Sequence, residues 1–182
     1  MVMIICIAGY AGSGKDTAAD MLSEKLGLPR VKFTFKDMAA ERGMALMEFH
    51  KLASADGGKI DKEFDRRVVE VAHKLDKKEG GCIVSTWIGA WMVKDAALRV
   101  FLRVPEEVRA KRLTGRDNMA YGQALEHIRE RDANNKKRYM KYYGIDITDL
   151  SVFDLIIDAD ENTQPKDTLK IIMDRIKQLK KK

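Results

Sequence analysis

Cysteine is scarce. Only Cys6 and Cys82 occur among 182 residues, and no CxxC pair is present, which excludes a disulfide framework. His50, His73 and His127 stand singly and far apart, so no structural zinc pattern remains, and no protein metal site is expected. Both cysteines lie inside apolar runs and read as buried thiols in a reducing cytoplasm. Long apolar runs are missing as well: none approaches the roughly 20 residues of a bilayer span, and Val2 to Ala8 is too short, without a basic leader, for a secretory signal. A cytoplasmic protein with no membrane attachment is the expectation. Internal repeats and low-complexity tracts are also absent. Charged residues at 34% and apolar residues at 45% make a folded rather than a disordered composition, and the length suits one domain with a full core. Thirty-four Lys and Arg against 28 Asp and Glu leave a charge of +6. The excess ends in Lys180, Lys181 and Lys182, a solvated helix end that phosphate-bearing ligands would also welcome.

What is present is an alternation of short aliphatic runs with longer helical patterns. Val2 to Ala8, Arg30 to Phe33, Cys82 to Thr86, Arg99 to Val104 and Phe153 to Asp158 read as strands. Between them, Ala18, Met21, Leu22 and Leu26 form an amphipathic stripe closed by Gly27 and Pro29, and Ile60, Phe64, Val68, Val71 and Leu75 form another. Leu169, Ile172, Met173, Ile176 and Leu179 follow Pro165 in a third. Right-handed crossovers then predict a three-layer α/β/α fold around a five-stranded parallel sheet, its ligand crevice at the carboxyl ends of the strands. Two stretches are too long for simple crossovers. Lys36 to Gly80 reads as helical, with a loop at Ala55 to Lys59, and Pro105 to about Gly144 is helical and dense in arginine; both read as flaps around a bound ligand.

After the first strand the chain reads Gly9, Tyr10, Ala11, Gly12, Ser13, Gly14, Lys15, Asp16, Thr17 and then a helix. This is the phosphate-loop pattern G-x-x-x-x-G-K in its strand-to-helix setting. Its glycines let consecutive backbone N–H groups point into one concavity, the helix N-terminus adds partial positive charge, and Lys15 can bridge the β- and γ-phosphates of a nucleoside triphosphate. Asp16 holds the usual Ser or Thr place. The hydroxyl is shifted to Thr17, an arrangement that resembles nucleoside monophosphate kinases, and the resemblance implies that Thr17 touches the α-phosphate rather than ligating Mg²⁺ directly.

Arg109, Arg112 and Arg116 are spaced by three and four, and Arg131, Asn135 and Arg138 fall at i, i+4 and i+7, so each set shares a helix face. Such faces are ordinarily solvated, here beside Glu106, Glu126 and Glu130. Behind a phosphate loop they read instead as cations for phosphoryl transfer. RNA binding would use similar arginines, but no aromatic stacking platform or recognisable RNA-binding module accompanies them.

The stretches "GYAGSGKDTAADMLSEKLGL", "ERGMALMEFHKLA", "IDKEFDRRVVEVA", "GAWMV", "VPEEVRAKRL" and "RERDANNKKRYMKYYGIDITDLSVFDLIID" resemble the archaeal type of cytidylate kinase, a P-loop nucleoside monophosphate kinase, over almost the whole chain. The resemblance implies a single P-loop kinase domain with core segments 1–35, 80–104 and 150–182, a monophosphate-binding insertion at 36–79, and an arginine-rich lid with its flanking helices at 105–149. It implies ATP with Mg²⁺ as donor and CMP or dCMP as acceptor; a monomer is expected. Position by position, Lys15 and its loop match the ATP site; Arg112, Arg116, Arg131 and Arg138 match lid and transfer arginines; Arg66 and Arg67 match the acceptor side. Lys36 stands where an acceptor-phosphate arginine is usual, and Asn135 where a carboxylate reading the cytosine amino group is common. The family's "EGRLAGW"-like run is here Ser85, Thr86, Trp87, Ile88, Gly89, Ala90, Trp91, so a carboxylate has become Ser85 and an arginine Trp87. Trp87 is expected either in the core or as a stacking wall for a base. Those departures keep open a kinase for another small acceptor, or an ATP-binding regulatory or RNA-associated protein without transfer.

Overall fold

The computed structural model describes residues 3–179; Met1, Val2 and Lys180 to Lys182 lie outside them. The chain runs β1 (Ile4–Gly9), α1 (Lys15–Leu26), α2 (Phe35–Glu41), α3 (Leu46–Ala55), α4 (Lys59–Glu79), β2 (Cys82–Ser85), α5 (Gly89–Met92), β3 (Leu98–Arg103), α6 (Glu106–Asp117), α7 (Tyr121–Tyr143), β4 (Leu155–Asp158) and α8 (Pro165–Leu179). The sheet is parallel, in the order β2-β1-β3-β4.

Every residue of β1 is buried, because alternate side chains enter opposite layers. Ile5 and Ile7 pack with Ala18, Ala19 and Leu22 of α1 and Ile172 and Ile176 of α8. Ile4 and Cys6 pack with Val68 and Ala72 of α4 and Ala90 of α5. The three-layer α/β/α architecture is therefore present, and α4 runs from the helical excursion into the flank of the sheet. Cys6 and Cys82 are free and buried, and burial pushes both thiols up to about 12.

Among the described residues the sheet has four strands, not five. Arg30 to Phe33 does approach the outer edge of β2, where Val31 N–H donates to the Ile83 carbonyl and Ile83 N–H to the Pro29 carbonyl, each at 2.9 Å. It goes no further than one bridge, Arg30 with Ile83. Pro29 has no N–H to give, and Thr34 already caps α2 in a reciprocal box with Asp37, so only a few residues are left between two helix ends.

Candidate functional site

The loop between β1 and α1 is shaped by close approaches that only glycine permits. A Cβ on Gly12, whose φ is 78°, would lie 2.7 Å from Leu113 Cδ1 and 2.9 Å from the Arg109 carbonyl oxygen. Gly14, with φ at 87°, ends the loop in the left-handed region and starts α1. Ser13 N–H closes the turn on the Tyr10 carbonyl at 3.1 Å. The backbone of α6 thus presses directly on the loop.

Two cavities open on opposite sides of it. One, of about 420 Å³, is bounded by Gly12, Ser13, Gly14 and Thr17, by Arg112 and Arg116 of α6, and by Pro165 and Thr168 of α8. Arg112 donates to the carbonyls of Ser13 (3.1 Å) and Asp160 (3.2 Å), and burial lowers its pKa. Arg116 pairs with Asp117 at 2.6 Å on the rim. The second cavity, of about 560 Å³, is bounded by Lys15 and Asp16, by Phe35, His50 and Ser54, by Asp61, Phe64 and Asp65 of α4, by Ser85 to Ile88, and by Arg131, Arg138, Tyr139 and Tyr142 of α7. Lys15 and Asp16 border the larger cavity, while Gly14 and Thr17 on either side of them in the chain border the smaller. Asp16 accepts from Ser85 Oγ at 2.7 Å and pairs with Arg30 at 3.0 Å and Lys15 at 3.3 Å. Burial pushes its carboxyl up, but Lys15, the Ser85 hydroxyl and Arg30 together hold it below the ordinary range.

The walls of the larger cavity carry both signs of charge. Arg138 donates to Asp61 (3.1 Å), to Asn135 Oδ1 (3.1 Å) and to the Tyr139 hydroxyl (3.0 Å). Behind the wall, the Tyr143 hydroxyl donates to Asp65 Oδ2 at 2.5 Å. Burial outweighs that bond and the pull of Arg138, and the Asp65 carboxyl rises to about 6. Burial likewise raises Asp61 against Arg138. Arg131 makes no ion pair among the described residues and faces both this cavity and an adjoining hollow shared with Trp87, His127, Asn134 and Asn135. Aromatic surface closes the far end, where Phe35 stacks on His50 with ring centroids 5.5 Å apart.

A sequence model of the cytidylate kinase-like family matches residues 4–161. The chain belongs to that family. A cytidylate kinase of Sulfurisphaera tokodaii is 41% identical over 173 residues, covering 93% of each chain. One from Pyrococcus horikoshii is 42% identical over 159 residues, 86% of this chain and 80% of the relative. Among solved structures, an uncharacterized protein from Eubacterium ventriosum superposes with a TM-score of 0.70 at 18% identity, covering 96% of this chain and 98% of that one. Shikimate kinase from Acinetobacter baumannii, in complex with shikimate, reaches 0.59 at 15% identity, covering 98% and 95%. These two likenesses are of fold.

The structure places the residues that the family resemblance singles out unevenly. Gly12 to Thr17 border the cavities, as do Arg112, Arg116, Arg131, Arg138 and Trp87. Gly9, Tyr10 and Ala11, at the start of the loop, border neither cavity. A Cβ on Gly9 would meet Ser13 Oγ at 2.5 Å, Tyr10 packs edge-on to Trp87 at 5.4 Å, and Ala11 is buried against α6 and α7. Lys36, Arg66 and Arg67 border neither cavity. Lys36 is exposed, Arg66 pairs with Glu70 along α4, and Arg67 pairs with Glu41 while its guanidinium covers the Phe33 ring at 4.4 Å. Asn135 is buried, and its amide oxygen is used by Arg138. Trp87 is half-buried, edge-on to Tyr10, and borders two hollows. Asp61, Asp65, Phe35, His50, Tyr139 and Tyr142 border the cavity without having been singled out by any motif.

Proposed function

We propose that the chain is a nucleoside monophosphate kinase that transfers the γ-phosphoryl group of ATP to CMP or dCMP. The observation that carries this reading is the pair of cavities bordered by one phosphate loop, the larger by Lys15 and Asp16 and the smaller by Gly12 to Gly14 and Thr17. ATP takes the smaller cavity, its base between Arg112 and Pro165, its phosphates on the N–H groups of the loop and Thr17 near the α-phosphate. The acceptor takes the larger one, its phosphate toward Arg131 and Arg138 and its base among Phe35, Phe64 and Tyr142 beside Asp61 and Asp65. The residues also fit a divalent cation travelling with ATP. Asp16 stays ionised beside Lys15, with the Ser85 hydroxyl on it. Asp16 and Ser85 would hold the hydration shell of Mg²⁺, which supplies charge neutralisation across the β- and γ-phosphates when bound.

An acceptor-phosphate oxygen attacks the γ-phosphorus in line as the bond to the β-phosphate bridging oxygen breaks, and ADP leaves. The protein forms no covalent intermediate: Lys15, Arg131 and Arg138 align the partners and stabilise the charge that spreads over the transferring group. Segments 36–79 and 105–149 act as acceptor-binding insertion and lid, and together they exclude water that would hydrolyse ATP.

Formation of ADP from ATP and Mg²⁺ against a panel of CMP, dCMP, UMP, AMP, GMP and shikimate tests this. Turnover with CMP and dCMP well above the other acceptors is expected. Turnover confined to another acceptor would overturn the pyrimidine assignment, and no turnover with any would overturn transfer.

A further inference from the structure

Arg109 borders neither cavity, yet among the described residues it is the one charged side chain that is fully buried, at 5% exposure. Its Nη1 donates to the Ala11 carbonyl at 3.2 Å and to Asp132 Oδ2 at 2.8 Å, and its Nε donates to the Val104 carbonyl at 3.2 Å. The guanidinium also lies 5.2 Å from the centroid of the Tyr10 ring. One group therefore holds the phosphate loop, the residue after β3, and the middle of α7.

A permanent strut at this place does not need charge. A buried ion pair gains little over a well-packed apolar pair of the same volume, because desolvation consumes the attraction. What an Arg–Asp pair adds is direction. Asp132 directly follows Arg131 and precedes Asn135 and Arg138 on α7, so anchoring its carboxylate fixes the rotational phase of the helix, and with it the aim of both arginines. The pair uses one carboxylate oxygen only: Asp132 Oδ1 is buried and accepts no hydrogen bond among the described residues.

We propose that the Arg109–Asp132 pair is a positioning device that seats the lid helix α7 on the phosphate loop, so that Arg131 and Arg138 meet the transferring group, and water is excluded, only while the pair is made. The proposal rests on the reading of α7 as a lid. Arg109 itself touches no substrate and acts through Arg131.

The full-length chain is compared with Arg109→Lys, Asp132→Asn, and the apolar double replacement Arg109→Met with Asp132→Leu. Thermal melting, kcat and KM for both substrates, and the ratio of ATP hydrolysed to acceptor phosphorylated are measured. Each single variant is expected to lose about 10- to 100-fold in kcat with KM for ATP changed less than about 3-fold, and to hydrolyse more ATP per transfer by about 10-fold. The apolar pair is expected to melt like the wild type while remaining as slow as the single variants. On an Arg131→Ala background, Asp132→Asn is expected to cost nothing further in kcat, since its effect passes through Arg131. An apolar pair that restores kcat along with melting would make the contact a mere strut and overturn the proposal. Additive losses with Arg131→Ala, or single variants with wild-type kcat and hydrolysis ratio, would overturn it too. If a single variant does not melt cooperatively, the apolar pair decides alone. A wild-type chain that phosphorylates no acceptor would instead defeat the underlying kinase reading, which separates the two failures.

Discussion

Lys15 has one hydrogen bond among the described residues, to Asp16, and Asp16 keeps Arg30 and Ser85 without it. Lys15→Ala is therefore expected to melt within a few degrees of the wild type, yet to lose about 10³-fold or more in kcat, as removal of a transition-state cation does. Wild-type turnover in the folded variant would take Lys15 out of the phosphate site. Asp65 works in the opposite sense. Its folded carboxyl, at about 6, lies above its ordinary 3.8, so folding takes up a proton between those values and the wild type loses stability as pH rises from about 4 to about 6. Asp65→Asn removes that loss while keeping an acceptor for Tyr143. It should be more stable than the wild type by about 1–2 kcal/mol at pH 8, with the difference vanishing near pH 3.5, and should bind CMP more weakly. Melting curves across pH, beside a CMP titration, check both; a constant difference across pH would mean that Asp65 is not desolvated. Neither Asp61 nor Asp65 was legible in the sequence, because "IDKEFDRR" has the mixed charge of any solvated helix. Arg66 and Arg67 stood out instead, through the family resemblance of the "DRR" element. Each residue turns a helix by about 100°, however, and with Phe64 and Asp65 bordering the cavity, Arg66 and Arg67 fall on the other side of α4. Lys36 is displaced from Phe35 by the same rotation.

At the scale of elements, periodicity carried most of what could be read. Strand β1, the helix after the loop, the arginine-bearing helices and α8 stand close to where their patterns put them, because each buries a stripe or a face in the core. The second aliphatic run failed to become a strand for a local reason that its hydrophobicity does not show: Pro29 and the α2 cap occupy its ends. The two arginine sets share helices but not a destination. Arg112 and Arg116 go to one cavity and Arg131 and Arg138 to the other, while Arg109 is buried between, a division set by how α6 and α7 pack and not by spacing. That packing makes α6 sensitive at one glycine contact and tolerant at another. Gly12→Ala puts a methyl against Leu113 and the Arg109 carbonyl at positive φ, and should destabilise by about 2–3 kcal/mol and weaken ATP binding. Gly115→Ala, within α6 with nothing near its new Cβ, should stabilise by about 0.5–1 kcal/mol. Denaturant unfolding of the two variants separates these signs, and an equal response from both would mean that α6 does not bear on the loop.

For the whole molecule, the decisive feature is that one phosphate loop borders two separate cavities, with Lys15 on the wall of the larger and its neighbour Gly14 on that of the smaller. A donor and an acceptor that occupy them at once place their phosphates on either side of Lys15, with Arg112 and Arg116 behind one and Arg131 and Arg138 behind the other. A dinucleoside pentaphosphate linking adenosine to cytidine would then span both. Its second half binds without a further loss of translational freedom, and its chain of phosphates meets all of these cations together. Its affinity is expected to exceed that of ATP by about 10²-fold or more, and at 100 times its dissociation constant it should stabilise the fold by about 2.7 kcal/mol. The diadenosine analogue should gain much less, because its second purine meets a cavity whose polar contacts are Asp61 and Asp65 rather than the surfaces beside Arg112. Calorimetry with both analogues and with ATP alone measures this directly. A mixed analogue that binds no tighter than ATP would mean that the larger cavity does not receive the acceptor, and the Lys15→Ala variant should lose most of the gain if the two halves meet where that side chain stands.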